Sequence, residues 1–285
     1  MYDDVINIFQ KYLPNQKWKV RRPHGGNKKR CYIVSNRKDK YFIKFDIPSE
    51  ILKRLGEIQV APKVLFSGEY GGQSFVIQEF INGHYPVDKA WMRDNVDELI
   101  RIISLYHQDQ ELFRQLAEIF PTDFRRHIGQ DLEYLGERLS KIDTGLLQTA
   151  KMEEGFEQLK NMAQAFEAEP LVPIHNEPNP SNMLVLGKKL IFVDWDEITL
   201  SDPMRDIGVV LWWNFPPEHW PAFLEKCGIE ITKGLLDKIY WFSARASFEI
   251  VLWHAEHHLD GQDFIEDFCA ALNKQPNPKG YLEYY

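Results

Sequence analysis

The sequence predicts an α+β chain in two lobes, a small antiparallel β-rich N-terminal lobe followed by a larger, mainly helical one. Three observations predict it: short β-type runs crowd the first eighty residues, longer helical periodicity follows, and a single apolar hairpin interrupts those helices. The β-type runs are 31–35, 41–45, 64–67 and 74–80, separated by turn formers such as Asn36-Arg37-Lys38-Asp39 and Gly71-Gly72. Between the second and third, Ile51, Leu52, Leu55 and Ile58 share helical spacing behind Pro48 and Ser49. Helical patterns then run through Val96, Leu99, Ile100 and Ile103, through 131–147 and through 152–166. The boundary falls at residues 82 and 83, giving lobes of about 1–82 and 83–285.

Composition narrows the function. A chain of 285 residues that is 44% hydrophobic can bury one large core or two smaller ones. The 34 basic residues against 42 acidic ones leave a net charge of −8, which argues against broad phosphate-driven nucleic-acid binding and suits a cationic ligand. Cys31, Cys227 and Cys269 are scattered, with no C-x-x-C pair, so neither a disulfide framework nor a cysteine zinc site is expected. The acidic start Met1-Tyr2-Asp3-Asp4 is unlike a signal peptide, and no apolar run approaches the ~20 residues that span a bilayer. A cytoplasmic protein is expected.

The chemistry gathers at the hairpin 183–186 and 190–193. Before it stands His175-Asn176-Glu177-Pro178-Asn179-Pro180-Ser181-Asn182, and its second strand ends in Asp194-Trp195-Asp196. A carboxylate, an amide and further carboxylates at one ribbon end are what phosphoryl transfer needs: one carboxylate to orient or deprotonate a hydroxyl, and an Asn and an Asp giving oxygens to magnesium. The spacing His175, Glu177, Asn182, then Asp194 is that of the kinase H-R-D-x-x-x-x-N and D-F-G elements. An exposed polar turn would explain any one of these residues, but not their shared order and spacing. His254, His257 and His258 fit neither H-E-x-x-H nor H-x-x-E-H, so a polar helix face is expected there rather than zinc. A glycosyltransferase-like metal pair at Asp194 and Asp196 would leave the 175–182 element unexplained.

On these motifs the chain resembles the aminoglycoside phosphotransferase and choline kinase superfamily, with its H-[GN]-D-x-x-x-x-N and I-D-[FW]-[DE] segments. The resemblance implies a protein-kinase-like fold with nucleotide between the lobes, ATP or GTP as co-substrate and Mg²⁺ as cofactor. It also implies transfer to a hydroxyl of a small, cationic acceptor of aminoglycoside, choline, ethanolamine or thiamine type. Catalytic roles would fall to Glu177, His175, Asn182 and Asp194, and metal ligation to Asn182, Asp194 and Asp196. Ser201-Asp202-Pro203-Met204-Arg205-Asp206 is similar to the family's D-P-x-x-D segment, which gives Asp206 an anchoring role.

Gly25 and Gly26 resemble the turn that covers the phosphates. Lys44 stands in an apolar strand like the phosphate-holding lysine of kinases, with Glu50, or else Glu57, as the helix carboxylate expected to pair with it. Glu79, Phe80 and Ile81 match the hinge whose backbone meets the purine, and Leu105-Tyr106-His107 matches a structural helix end. Trp212, Trp213, Trp220, Tyr240, Trp241, Phe242, Trp253, Glu249 and Glu256 could serve an ammonium group, although rings at helical spacing usually fill a core. The pattern departs at Glu177, where Asp is usual. That departure supports an alternative reading: a kinase-fold protein that binds nucleotide or a partner without turnover.

Overall fold

The computed structural model describes residues 2–23, 30–83, 88–142 and 149–281. It divides into two compact units, Met1–Val87 with Pro180–Asp196, and Asp88–Asn179 with Glu197–Tyr285.

The first unit opens with α1 (Tyr2–Tyr12), an element not anticipated from sequence, which buries Val5, Ile8 and Phe9 at three- and four-residue spacing. Five strands follow: β1 (Lys19–Arg21), β2 (Cys31–Ser35), β3 (Lys40–Phe45), β4 (Val64–Tyr70) and β5 (Gln73–Glu79). They form one antiparallel sheet in the order β1-β2-β3-β5-β4. Gly71 and Gly72, at φ 60° and 76°, close the β4–β5 hairpin in the left-handed conformation that a two-residue turn with native twist requires. One sheet face packs on α1 through Tyr32, Val34, Ile43, Phe45, Phe75 and Ile77. Because strand side chains alternate, the aligned row Cys31, Lys44 and Val76 points to the other face. After β3, Asp46 turns the chain at φ 58° into α2 (Ser49–Glu57), which buries Ile51, Leu52 and Leu55.

Helices dominate the second unit: α3 (Lys89–Asp94), α4 (Val96–His107), α5 (Gln110–Ala117), α6 (Phe124–Lys141) and α7 (Thr149–Gln164). Asp88, Asp109 and Asp123 cap α3, α5 and α6, each side chain accepting a first-turn backbone N–H. Beyond them the chain runs through β6 (Val172–Ile174), the hairpin β7 (Met183–Leu186) and β8 (Lys189–Phe192), and β9 (Thr199–Ser201). It ends in α8 (Met204–Asn214), α9 (Trp220–Lys226), α10 (Lys233–Glu256) and α11 (Gln262–Leu272). α8 and α10 approach closely because Gly208 has no side chain; a Cβ there would stand 3.1 Å from Ile239 Cα.

Besides α1, three features differ from expectation, the first being β1, which lies outside the β-type runs read from the sequence. The hairpin, placed by sequence order in the second lobe, groups with the first unit, where the Phe192 N–H donates to Val60 O at 2.9 Å. The helical part also carries a second ribbon, β6 paired antiparallel with β9, flanking the hairpin in sequence. Three-residue strands carry too little periodicity to be read without their partner.

Candidate functional site

In the second unit, the β6–β9 ribbon brings the start of the 175–182 loop beside the start of α8. Asp206, in the first turn of α8, is completely buried. Its Oδ2 accepts the His175 N–H at 2.7 Å and the Tyr106 hydroxyl at 2.8 Å, its Oδ1 accepts the Asn176 N–H at 2.9 Å, and His107 Nε2 lies 3.5 Å away. Burial pushes the Asp206 carboxyl pKa up, but the His107 hydrogen bond and electrostatic attraction and the His175 backbone N–H more than offset it. The net effect holds it below the ordinary carboxylate value, so Asp206 is an ionised anchor. Burial and the Asp206 charge raise the Tyr106 pKa far above normal, keeping that hydroxyl a donor.

Asn176 sits at φ 74°, a left-handed conformation that Gly and Asn tolerate best. The Glu177 N–H donates to His175 Nδ1 at 3.3 Å, and the Glu177 carbonyl accepts from the Asn179 N–H at 2.8 Å. Glu177 is therefore exposed on a backbone pinned from both sides. His175, expected among the catalytic groups, is completely buried and acts on the loop through this acceptor nitrogen.

In the first unit, Asp194 follows two residues after the end of β8 and sits at φ 64°. The Val193 N–H donates to Asn182 O at 2.8 Å, tying the two hairpin ends together, and the indole of Trp195 closes the turn onto Phe192 O at 2.9 Å. Lys44, buried on the sheet face away from α1, donates to Asp194 Oδ1 at 3.1 Å and to Asp196 Oδ1 at 2.5 Å. The expected pairing of Lys44 with Glu50 is corrected here. Glu50 is on the solvent side of α2, bonded to Lys53 at 2.7 Å and to Ser49 at 3.1 Å, while Glu57 pairs with Arg54. α2 turns its apolar face inward, so its first-turn carboxylate points out.

The donor set fits Mg²⁺. Asp194, Asp196 and Asn182 offer hard oxygen atoms, and two of them already face the Lys44 ammonium cation. Among the described residues no group of three or more His, Cys, Asp and Glu side chains converges. His254 and His257 instead give Nδ1 contacts to backbone carbonyls one turn earlier.

At the end of β5 the Glu79 N–H is bonded to Lys63 O and its carboxylate to the Lys63 N–H, both at 2.9 Å, which commits that N–H to Lys63. Phe80 lies under Lys40 Nζ at 3.6 Å from the ring centroid. Gly25 and Gly26 lie outside the described residues.

The aromatic cluster is mostly core. Trp212, Trp220, Trp241 and Phe242 are fully buried, and the three indole N–H groups donate to Gln275 O, Phe215 O and Leu159 O. Glu249 is paired with Arg245 and Arg138, and Glu256 with Arg138, so these carboxylates are already matched by cations.

One group escaped sequence reasoning. Buried Asp131 accepts from Arg245 Nε at 2.8 Å and Nη2 at 2.6 Å, and from Arg205 Nη2 at 3.3 Å. The signal was present in α6, where His127 and Asp131 share the spacing of the apolar positions Phe124, Ile128 and Leu135.

A phosphotransferase enzyme family model matches residues 19–230. The protein LicA of Haemophilus influenzae is 26% identical over 124 residues, which make up 44% of this chain and 42% of that protein; the chain thus aligns with less than half of this relative. Among solved structures, choline kinase LicA from Streptococcus pneumoniae is 15% identical over 95% of this chain and 98% of its own, with a TM-score of 0.68. Spectinomycin phosphotransferase APH(9)-Ia, solved with ADP and spectinomycin, is 13% identical over 96% and 97%, with a TM-score of 0.66. At these identities the structural likeness is one of fold, and it agrees with the two-lobed kinase-like class expected from sequence.

Proposed function

This chain belongs to the phosphotransferase enzyme family, and from that premise we propose that it moves the γ-phosphoryl group of ATP or GTP to a hydroxyl of a small, cationic molecule. The observation that carries the reading is the Lys44 ammonium held by Asp194 and Asp196 at the end of the hairpin. A cation suited to phosphate and two carboxylates suited to a metal thereby stand together just past the end of β8.

Under this reading Asn182, Asp194 and Asp196 hold Mg²⁺, which when bound neutralises charge on the transferring phosphate. Lys44 holds nucleotide phosphate, and Glu79 to Ile81 and the Gly25-Gly26 turn contact the rest of the nucleotide. Glu177 accepts the proton of the attacking hydroxyl. Its extra methylene displaces the carboxylate by about an ångström relative to Asp, but a loose transition state depends chiefly on positioning and charge. The pinned backbone around Glu177 supplies the positioning. The choline kinase and spectinomycin phosphotransferase neighbours support an acceptor carrying an amine or ammonium group.

The test is Mg²⁺-dependent ATP and GTP consumption by wild type and Asp194→Ala against aminoglycosides, spectinomycin, choline, ethanolamine, thiamine and hydroxyl amino acids. Acceptor-stimulated turnover lost in the variant is expected. Tight nucleotide binding without stimulation by any acceptor would favour the alternative of a nucleotide-binding protein whose turnover was lost at Glu177.

A further inference from the structure

Asn176 is held twice by consecutive residues of α8. Asp206 takes its backbone N–H at 2.9 Å, and Arg205 Nε donates to its side-chain Oδ1 at 2.6 Å. The second contact is not needed to satisfy buried backbone. It bears on a side chain whose residue occupies φ 74°, one position before Glu177.

The Arg205 guanidinium is itself immobilised. Only 5% of the residue is exposed, Nη2 donates to Asp131 Oδ1 at 3.3 Å, and Nη1 lies 3.3 Å from His127 Nε2, which must accept because arginine can only donate. Asp131 is gripped in turn by two donors of Arg245, and Arg245 also binds Glu249. Burial and the nearby Arg245 charge work against a cation at Arg205 and lower its pKa. A neutral residue would avoid that penalty, and Asp131 would keep its bidentate arginine without Arg205. What Arg205 adds is a planar fork whose Nε reaches Asn176 while its Nη atoms are anchored elsewhere; lysine has one nitrogen and cannot do both.

We propose that Arg205 is a positioning residue for phosphoryl transfer: by holding the Asn176 side chain it keeps residue 176 left-handed and so fixes the direction in which Glu177 projects. This rests on the phosphotransferase reading of Glu177. A purely structural Arg205 would serve only to complete the buried charge cluster around Asp131. The two roles separate at residue 176, because glycine adopts the left-handed conformation without help.

The experiment compares wild type, Arg205→Lys, Asn176→Gly and the double variant by two measurements. One is amide hydrogen exchange across residues 172–179. The other is steady-state turnover, with kcat and the KM for nucleotide determined separately. Arg205→Lys should speed exchange in this segment and lower kcat roughly 10- to 100-fold, the scale set by an ångström of misplacement, with the nucleotide KM within about twofold of wild type. In the Asn176→Gly background the same substitution should lower kcat by less than about threefold. Unchanged exchange, or an equal loss in both backgrounds, overturns the proposal. If Arg205→Lys does not fold, Asn176→Ala leaves the Arg205–Asp131 pair intact and should show the same faster exchange and lower kcat; unchanged values would again overturn it. Should wild type transfer phosphate to no acceptor, the transfer reading fails by itself, and the exchange comparison still decides whether Arg205 orders the loop.

Discussion

Asp206 Oδ2 accepts the backbone N–H of His175 at 2.7 Å, so a carboxylate on α8 fixes the first residue of a loop thirty-one positions earlier in the chain. The same carboxylate takes the Asn176 N–H and the Tyr106 hydroxyl, and an amide in its place would present an NH₂ group to donors.

Asp206→Asn is therefore expected to cost about 3–5 kcal/mol, the scale for breaking a buried charged network, and to abolish turnover in whatever fraction still folds. Urea unfolding checks the stability, and a loss below about 1 kcal/mol would contradict the anchoring role.

The acid sensitivity of the fold should pass partly through His127. Burial and the Arg205 charge push its pKa down from 6.5 to about 4, so the native state keeps the ring neutral where the unfolded chain protonates it. The unfolded state then binds more protons between about pH 6.5 and pH 4, and stability falls as pH falls through that window. The contribution is on the order of 2–3 kcal/mol. His127→Gln, whose Oε1 can still accept from Arg205, should flatten the stability–pH curve in that window; parallel curves for variant and wild type would refute this.

Removing the Lys44 cation separates its two roles. Lys44→Met frees the Asp194 and Asp196 oxygens from their ammonium partner, so nucleotide-free protein should bind Mn²⁺ more tightly than wild type does. Affinity for the metal–nucleotide complex should fall at least about tenfold, as a lost charge-assisted phosphate contact implies. Calorimetric titration with Mn²⁺ and with Mn²⁺–ATP reads both, and weaker Mn²⁺ binding would remove Lys44 from this pair of carboxylates.

Glu177→Gln keeps the length of the side chain and removes its basicity. A kcat loss of about 100-fold or more is expected, with nucleotide affinity unchanged. Glu177→Asp, on a backbone pinned for the longer residue, should also lose activity, by up to about 100-fold. Full activity of the Gln variant in steady-state assays would end the general-base assignment.

Helix packing gives a stability contrast. Gly208→Ala drives a methyl group to 3.1 Å from Ile239 Cα on α10 and should destabilise by about 1–3 kcal/mol. Gly129→Ala, on the exposed face of α6 with nothing within 4 Å of the new Cβ, should stabilise by about 0.5–1 kcal/mol. Thermal unfolding of the two variants should shift in opposite directions.

The amino-acid sequence by itself determined the strands β2 to β5 and the β7–β8 hairpin, and its spacing singled out His175, Glu177, Asn182, Asp194 and Asp206. Those features lie in local periodicity, turn chemistry and spacing along the chain, which need no knowledge of distant neighbours. Tertiary structure alone decided that Lys44 pairs with Asp194 and Asp196 rather than with Glu50, because sheet register and the inward face of α2 choose which carboxylate meets the ammonium. It also decided that Trp212 and Trp241 fill a core, and that Arg205, Asp131 and Arg245 meet across three helices. Burying a charge is tolerable only when its partners arrive from elsewhere in the chain, and residues as far apart as 131 and 245 carry no mark in sequence that they will meet.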